Sequence, residues 1–310
     1  MARDMERAEM EINGHCDERF SVVRDAFEAN FLADEELGAS AAVTVDGQYV
    51  VDLWAGQRNH NGDPWERDTI VNVYSTTKTM ASICILMLAD RGVIDFQKPV
   101  AEYWPEFASN GKDSVLVRHV MTHQTGCSGF PRPVTPEELY DHDLMADLLA
   151  GMEPWWEPGT APGYHAITQG TLQAELMRRI DGRTLGTFFR DEVTAPLGAD
   201  FHIGLPLSEG HRVAQLDVPQ EGIDQIVESD PDSIAARTFR SCRLDGTETE
   251  TDEWRSAEIP AGGGIGNARS ISRVHSAIAC GGTIDGVTLM KPETIEAALD
   301  RQTFDRDLVL

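Results

Sequence analysis

The chain is predicted to fold as an α+β body carrying a helical subdomain, and three observations predict it. Residues 41–54 read as two β-rich runs around an Asp46-Gly47 turn, a strand-like run returns at Val287–Met290, and residues 95–200 are helices and loops with little strand. At 310 residues, 41% hydrophobic and 25% charged, the chain is long and apolar enough for one large domain or two of ~150 residues.

The elements follow in order. Phe20, Val23, Phe27 and Phe31 recur at helical spacing, so residues 15–36 are expected to open the chain as an amphipathic helix. The Asp-Gly turn between two runs of valine, tyrosine, leucine and tryptophan is a hairpin signal. Ser75 to Asp90 reads as a helix that is apolar on nearly every face and therefore covered on all sides. Thr135-Pro-Glu-Glu138 is a capping box that should start a helix running to Ala150. Further helices are expected from Ile167 to Ile180 and from Thr184 to the stop at Pro196-Leu-Gly198. Residues 205–258 are polar, acidic and weakly periodic, which reads as an excursion over the surface. Gly262-Gly-Gly-Ile-Gly266 leads into Asn267, an N-cap, and a helix to Ala279; Pro292–Leu299 forms a last helix. The expected domains are an α/β body from 1–95 and 260–310, a helical subdomain from 96–200, and a 201–259 excursion that shapes a cleft.

Charge excludes several functions. With 52 acidic against 26 basic residues the formal net charge is −26, a field that repels nucleic-acid backbones and anionic membrane surfaces. Residues 1–30 hold no apolar run of signal-peptide length, and the longest apolar stretch, Met80–Ala89, is too short to span a bilayer. The five cysteines are scattered, odd in number and without a C-x-x-C pair, so neither a disulfide framework nor a zinc site is expected, and the compartment reads as cytoplasmic.

The sharpest chemical pattern is Ser75-Thr-Thr-Lys78 at the start of the apolar helix. Residues three apart share a helical face, so the Lys78 amine can reach the Ser75 hydroxyl. The hydroxyl also sits at a helix N-terminus, where free N–H groups favour a developing anion. Lysine can act as the base once desolvation lowers its proton affinity; arginine cannot. The second Ser-x-x-Lys, Ser109-Asn-Gly-Lys112, lies in a polar turn where its lysine is expected to stay solvated. Tyr164 follows a Pro-Gly turn and precedes a helix, so it either packs at the helix start or lines a cleft as a proton carrier. His165 reads as a helix-start or supporting residue. His119 and His123, four apart, lack the glutamate of a metalloprotease helix. Cys127 beside His123 could form a thiol nucleophile, but a structural turn is the plainer reading. Gly262-Gly-Gly264 lacks the spacing of a phosphate loop and suits close packing or a cleft floor. No cofactor and no metal are expected.

Taken together, Tyr74-Ser75-Thr-Thr-Lys78, Asp90-Arg-Gly-Val-Ile-Asp95, Pro99-Val-Ala-Glu-Tyr-Trp-Pro105, Met121-Thr-His-Gln-Thr-Gly126, Trp156-Glu-Pro-Gly159, Gly163-Tyr164, Ala195-Pro-Leu-Gly198 and Gly262-Gly-Gly264 resemble the serine β-lactamase-related hydrolases: class C β-lactamases, D,D-peptidases and family VIII carboxylesterases. The resemblance runs from about residue 37 onwards. It implies a β-lactamase/transpeptidase-like fold, an antiparallel sheet flanked by helices. It also implies Ser75 as acylated nucleophile, Lys78 as its base partner and Tyr164 as a proton carrier. An oxyanion hole would combine the Ser75 amide with one from a late edge strand.

The chain departs from the family pattern in two places. Tyr164-His165-Ala166 stands where Tyr-x-Asn is common, which shifts the expectation from β-lactams or peptides to small carboxylic esters. Residues 282–310 contain no Lys-Thr-Gly, His-x-Gly or Trp-Gly-Gly strand, so the chain reads as C-terminally truncated. The expected function is a serine carboxylesterase acting on a small-molecule ester. The alternatives are a β-lactamase or D,D-peptidase-type amide hydrolase, and a catalytically silent binding protein. Oligomeric state is not encoded in any of these features.

Overall fold

The computed structural model describes residues 11–33, 35–217 and 221–310; the N-terminal residues 1–10, part of the stretch read above for a leader, lie outside that set. Among the described residues there are two three-stranded antiparallel sheets, a two-stranded ribbon that pairs Thr283–Ile284 with Val287–Thr288, and a helical block. In the first sheet, strands β1 (Asn13–Cys16), β2 (Gly38–Val45) and β3 (Gln48–Gly56) take the order β1-β3-β2, with Leu53 of β3 opposite Gly14 on one side and Ala41 on the other. The β2–β3 turn forms where expected. Asp46 and Gly47 have φ of 49° and 76°, the left-handed pair that a tight hairpin demands.

The chain does not open on one long helix. β1 comes first, and helix α1 (Ser21–Leu32) follows, with Phe27 packed on Val50, Val51, Leu53 and Ala55 in a core of its own. Period-3.6 phenylalanines marked the helix, whereas a four-residue edge strand is too short to declare a period. The helix Ala268–Ala279 packs on the same sheet. Arg269 grips Asp52 through Nε and Nη2 at 2.7 and 2.8 Å, and Thr44 meets Ser276 at 2.6 Å.

The second sheet has the order β4 (Val71–Asn72), β6 (Gly264–Gly266), β5 (Phe201–Ile203). Its glycine strand β6 lies beside the segment that leads into helix α2 (Thr77–Asp90). Around α2 the main core gathers Met80, Ile83, Ile85 and Leu88 with residues of helices α3 (Val117–Met121), α4 (His142–Gly151) and α5 (Thr168–Asp181).

Three expectations need correction. The capping box does form, with the Thr135 amide on Glu138 Oε2 at 3.0 Å, but it starts a single 3₁₀ turn; Asp141 then caps α4 separately through the Leu144 amide. Residues 205–258 are not purely a surface excursion, because Ile234–Ser241 and Asp252–Ser256 are helical and Trp254 is fully buried with its Nε1–H on Asn72 Oδ1 at 3.0 Å. Lys112 is not solvated. It is fully buried, its ammonium donating to the carbonyls of Ser109, Ala150 and Met152 at the C-terminal end of α4. The Phe107 ring lies 5.3 Å from its Nζ, an enclosure that local sequence polarity does not reveal.

Candidate active site

The path from β4 to α2 sets the site. Val73 donates its amide to Gly264 O at 2.9 Å, and a 3₁₀ turn over Tyr74–Thr76 then presents Ser75 to solvent. Thr77 pins this junction: its hydroxyl donates to Tyr74 O at 2.5 Å and accepts the Gly264 amide at 2.9 Å. The backbone bends sharply here, with Tyr74 at φ 39°, a conformation that a bulky residue holds only when its surroundings over-determine it.

Lys78, the second residue of α2 and one turn after Ser75, is buried. Its Nζ lies 3.0 Å from Ser75 Oγ, 2.7 Å from Ala166 O and 2.8 Å from Ala261 O. A neutral amine has two N–H bonds and one lone pair. The two carbonyls take the two hydrogens, which leaves the lone pair aimed at the Ser75 hydroxyl. Desolvation drives the amine towards that form, lowering its pKa to about 7. The Ala261 carbonyl is brought within reach by α5. Gly170 of that helix meets the Pro260–Ala261 backbone so closely that a β-carbon there would lie 2.4 Å from the Ala261 nitrogen.

Tyr164 completes the contact. Its Oη is 2.5 Å from Ser75 Oγ, and its ring lies 4.9 Å from Lys78 Nζ. Burial raises the phenol's pKa, with the Ser75 hydrogen bond opposing, so at neutral pH it carries its proton. Ser75, Lys78 and Tyr164, drawn from positions 89 residues apart, thus share one oxygen atom as their meeting point.

The neighbouring histidines are neutral. His165 is fully buried, donates from Nδ1 to Gly163 O at 2.6 Å and accepts Thr125 Oγ1–H at Nε2 at 2.6 Å; burial lowers its pKa to about 3. His123 accepts the His165 amide at Nδ1, and burial, with the Lys78 charge second, brings its pKa down to about 4. No cluster of three or more His, Cys, Asp or Glu side chains suited to a metal occurs among the described residues. Cys127 is no partner for His123: its thiol is buried, bonded to Thr125 O, and pushed up to about 11. Sequence reasoning located the three central side chains but missed Glu248, which holds Tyr74, and Asp307, which holds the Tyr164 amide at 3.0 Å. Both lie more than a hundred residues from their partners, and no local pattern marks them.

Comparison with known proteins gives the family. The family model described as Beta-lactamase matches residues 24–308. The esterase/beta-lactamase LipL of Mycobacterium tuberculosis is 39% identical over 292 residues, covering 91% of this chain and 68% of LipL. A crystal structure titled a family VIII carboxylesterase superposes with a TM-score of 0.89 at 40% identity, over 96% of this chain and 80% of that one. A penicillin-binding protein homolog from Caulobacter crescentus gives 0.86 at 39%, over 97% and 80%. No helix of the described residues is long and apolar enough to cross a membrane. The match across nearly the whole chain, at identities near 40% and on one shared fold, makes the protein a member of the β-lactamase family.

Proposed function

We propose that the chain is a serine hydrolase of small carboxylic esters, in which Ser75 is the nucleophile, Lys78 its base and Tyr164 the acid for the leaving group. One observation carries the reading: Ser75 Oγ sits 3.0 Å from an amine whose two hydrogens are already committed to carbonyls, and 2.5 Å from a protonated phenol. As Oγ attacks the ester carbonyl, its proton passes to the Lys78 lone pair. The developing oxyanion faces the start of the turn into α2, where the Ser75 amide supplies one donor. The Tyr164 hydroxyl gives its proton to the departing alkoxide, and the proton gained by Lys78 makes good the phenol's loss. Water then attacks the acyl-enzyme, giving one proton to this lysine–tyrosine pair while Ser75 regains its own.

Ester specificity is supported by Ala166, which offers no side-chain amide to a peptide or lactam carbonyl and commits its backbone oxygen to Lys78. The carboxylesterase and esterase names of the relatives favour the same substrate class. β-Lactam hydrolysis is the second reading, favoured by the double name of LipL. Five free cysteines support a reducing, cytoplasmic setting.

The test is p-nitrophenyl butyrate turnover and fluorophosphonate labelling by the chain and by Ser75→Ala, with nitrocefin as the lactam comparison. Turnover and label are expected in the unaltered chain only. Lys78→Arg is expected to be as inactive as Lys78→Ala, and Tyr164→Phe to lose about 10²–10⁴ in kcat. A folded chain that neither turns over nor labels at Ser75 overturns the reading.

A further inference from the structure

We propose that Asp307 and His123 are positioning residues for Tyr164, clamping its loop from opposite sides so that the phenol stays on Ser75 Oγ. The inference rests on the reading of Tyr164 as the proton carrier.

Tyr164 lies in an irregular stretch that ends only where α5 begins at Thr168. A loop tyrosine without support samples several positions, and misplacement by about 1 Å can cost 10²-fold in rate. Here the main chain around it is tied on both flanks. The Leu308 amide donates to Pro162 O at 2.9 Å, and the Tyr164 amide donates to Asp307 Oδ1 at 3.0 Å, so residues 162–164 and 307–308 are stapled by two bonds. The same Asp307 oxygen accepts the amides of Val309 and Leu310 at 2.8 and 3.0 Å, which fixes the carboxylate in turn.

His123 holds the other flank. Its carbonyl accepts the Gly163 amide at 2.9 Å, and its Nδ1 accepts the His165 amide at 3.0 Å. Its ring packs against the Tyr164 ring at a tilt of 51°, with centroids 5.0 Å apart. The residue pays for this with φ of 60°, uncommon outside glycine. No plainer side chain supplies both features at that backbone: asparagine gives the acceptor without the ring, and phenylalanine the ring without the acceptor. As a neutral acceptor it places no cation beside the buried Lys78 amine.

A double-mutant cycle on p-nitrophenyl butyrate separates positioning from plain stability. Asp307→Ala is expected to lower kcat about 10–100-fold with KM changed less than about threefold. Asp307→Asn, which keeps a carbonyl oxygen at the same point, is expected to recover to within about threefold. In a Tyr164→Phe background the Asp307→Ala loss should shrink below about twofold, because no hydroxyl remains to be placed. A purely structural role would move the melting temperature equally in both backgrounds and leave no such coupling. If circular dichroism shows Asp307→Ala unfolded, the same cycle with His123→Asn, which tolerates the left-handed backbone but lacks the ring, decides the matter by the same coupling. Equal losses in both backgrounds, or unchanged kcat, overturn the inference while Ser75-dependent turnover stands. Absence of Ser75-dependent turnover in the unaltered chain overturns the hydrolase reading and this inference with it.

Discussion

The hydroxyl of Tyr74 donates to Oε1 of Glu248 at 2.8 Å, tying the residue before Ser75 to a carboxylate 174 positions away. Glu248 is itself buried, and its other oxygen accepts the Gly246 amide at 2.9 Å. Removing the carboxylate strands a half-buried phenol and an amide together. Glu248→Ala is therefore expected to cost about 1–3 kcal/mol, read as a lower thermal midpoint. It also releases the strained backbone at Tyr74, so Ser75-dependent turnover should fall about tenfold, while Glu248→Gln, which keeps an acceptor, should retain most of both. An alanine variant with unchanged midpoint and rate would show that the strain at Tyr74 is held elsewhere.

The pH dependence follows from Lys78. Its pKa of about 7 in the folded chain lies below the ordinary 10.5. The amine must be neutral to accept the Ser75 proton, so kcat/KM should rise about tenfold per pH unit below 7 and level off above it. For stability, the unfolded chain binds a proton between pH 7 and 10.5 that the folded chain does not, so this group makes stability increase as pH rises through that window. Urea midpoints at pH 7 and 10 for the chain and for Lys78→Met isolate the effect, since other groups cancel in the difference. The methionine variant should lack the slope and be inactive. Identical slopes for both proteins would place the titration on another group.

Lys112 allows a prediction separate from catalysis. Its ammonium fills a fully buried site against three carbonyls, two of them at the end of α4. Lys112→Ala leaves those carbonyls without a donor and opens a cavity, at a cost of about 3–5 kcal/mol. Thermal melts should show the loss, whereas the rate per active site, counted by fluorophosphonate titration of a parallel sample, should stay the same.

The net charge of −26 predicts a response to salt. Raising ionic strength from 0.1 to 1 M shortens the screening length from ~10 to ~3 Å and weakens self-repulsion. The exposed pairs, such as Lys98–Glu102 and Arg19–Asp17, contribute little to begin with. The melting temperature is expected to climb with sodium chloride; a fall would mean that ion pairs outweigh the repulsion.

What the sequence disclosed and what it hid divide along physical lines. Ser75 and Lys78 were legible because helical spacing alone brings them together, and the apolar run after them announced burial. The hairpin was legible because Asp46-Gly47 has one good conformation. Helix ends at Asn267 and Thr184 were legible from capping chemistry, and both side chains do accept amides. Lys112 misled because its burial comes from α4, far along the chain, while its own neighbours are polar. The Glu248 and Asp307 contacts were illegible for the same reason: a carboxylate looks alike in sequence whether it faces water or a distant amide. Tyr164 stands between these cases, since a tyrosine after Pro-Gly has no chemistry until the fold sets Ser75 beside it.

Gly170 carries a consequence that reaches beyond packing. A glycine inside a helix costs about 1 kcal/mol against alanine. Helix α5 accepts that cost to lie against Pro260–Ala261, which is how a carbonyl 183 positions from Lys78 joins Ala166 O around a single nitrogen. Any larger residue at 170 would push that carbonyl outward and let water reach the amine. The basicity of the lysine is thus governed by the distance between a helix and a loop. In this chain a side chain at position 170 is therefore expected to restore the lysine's hydration and, with it, its ordinary positive charge.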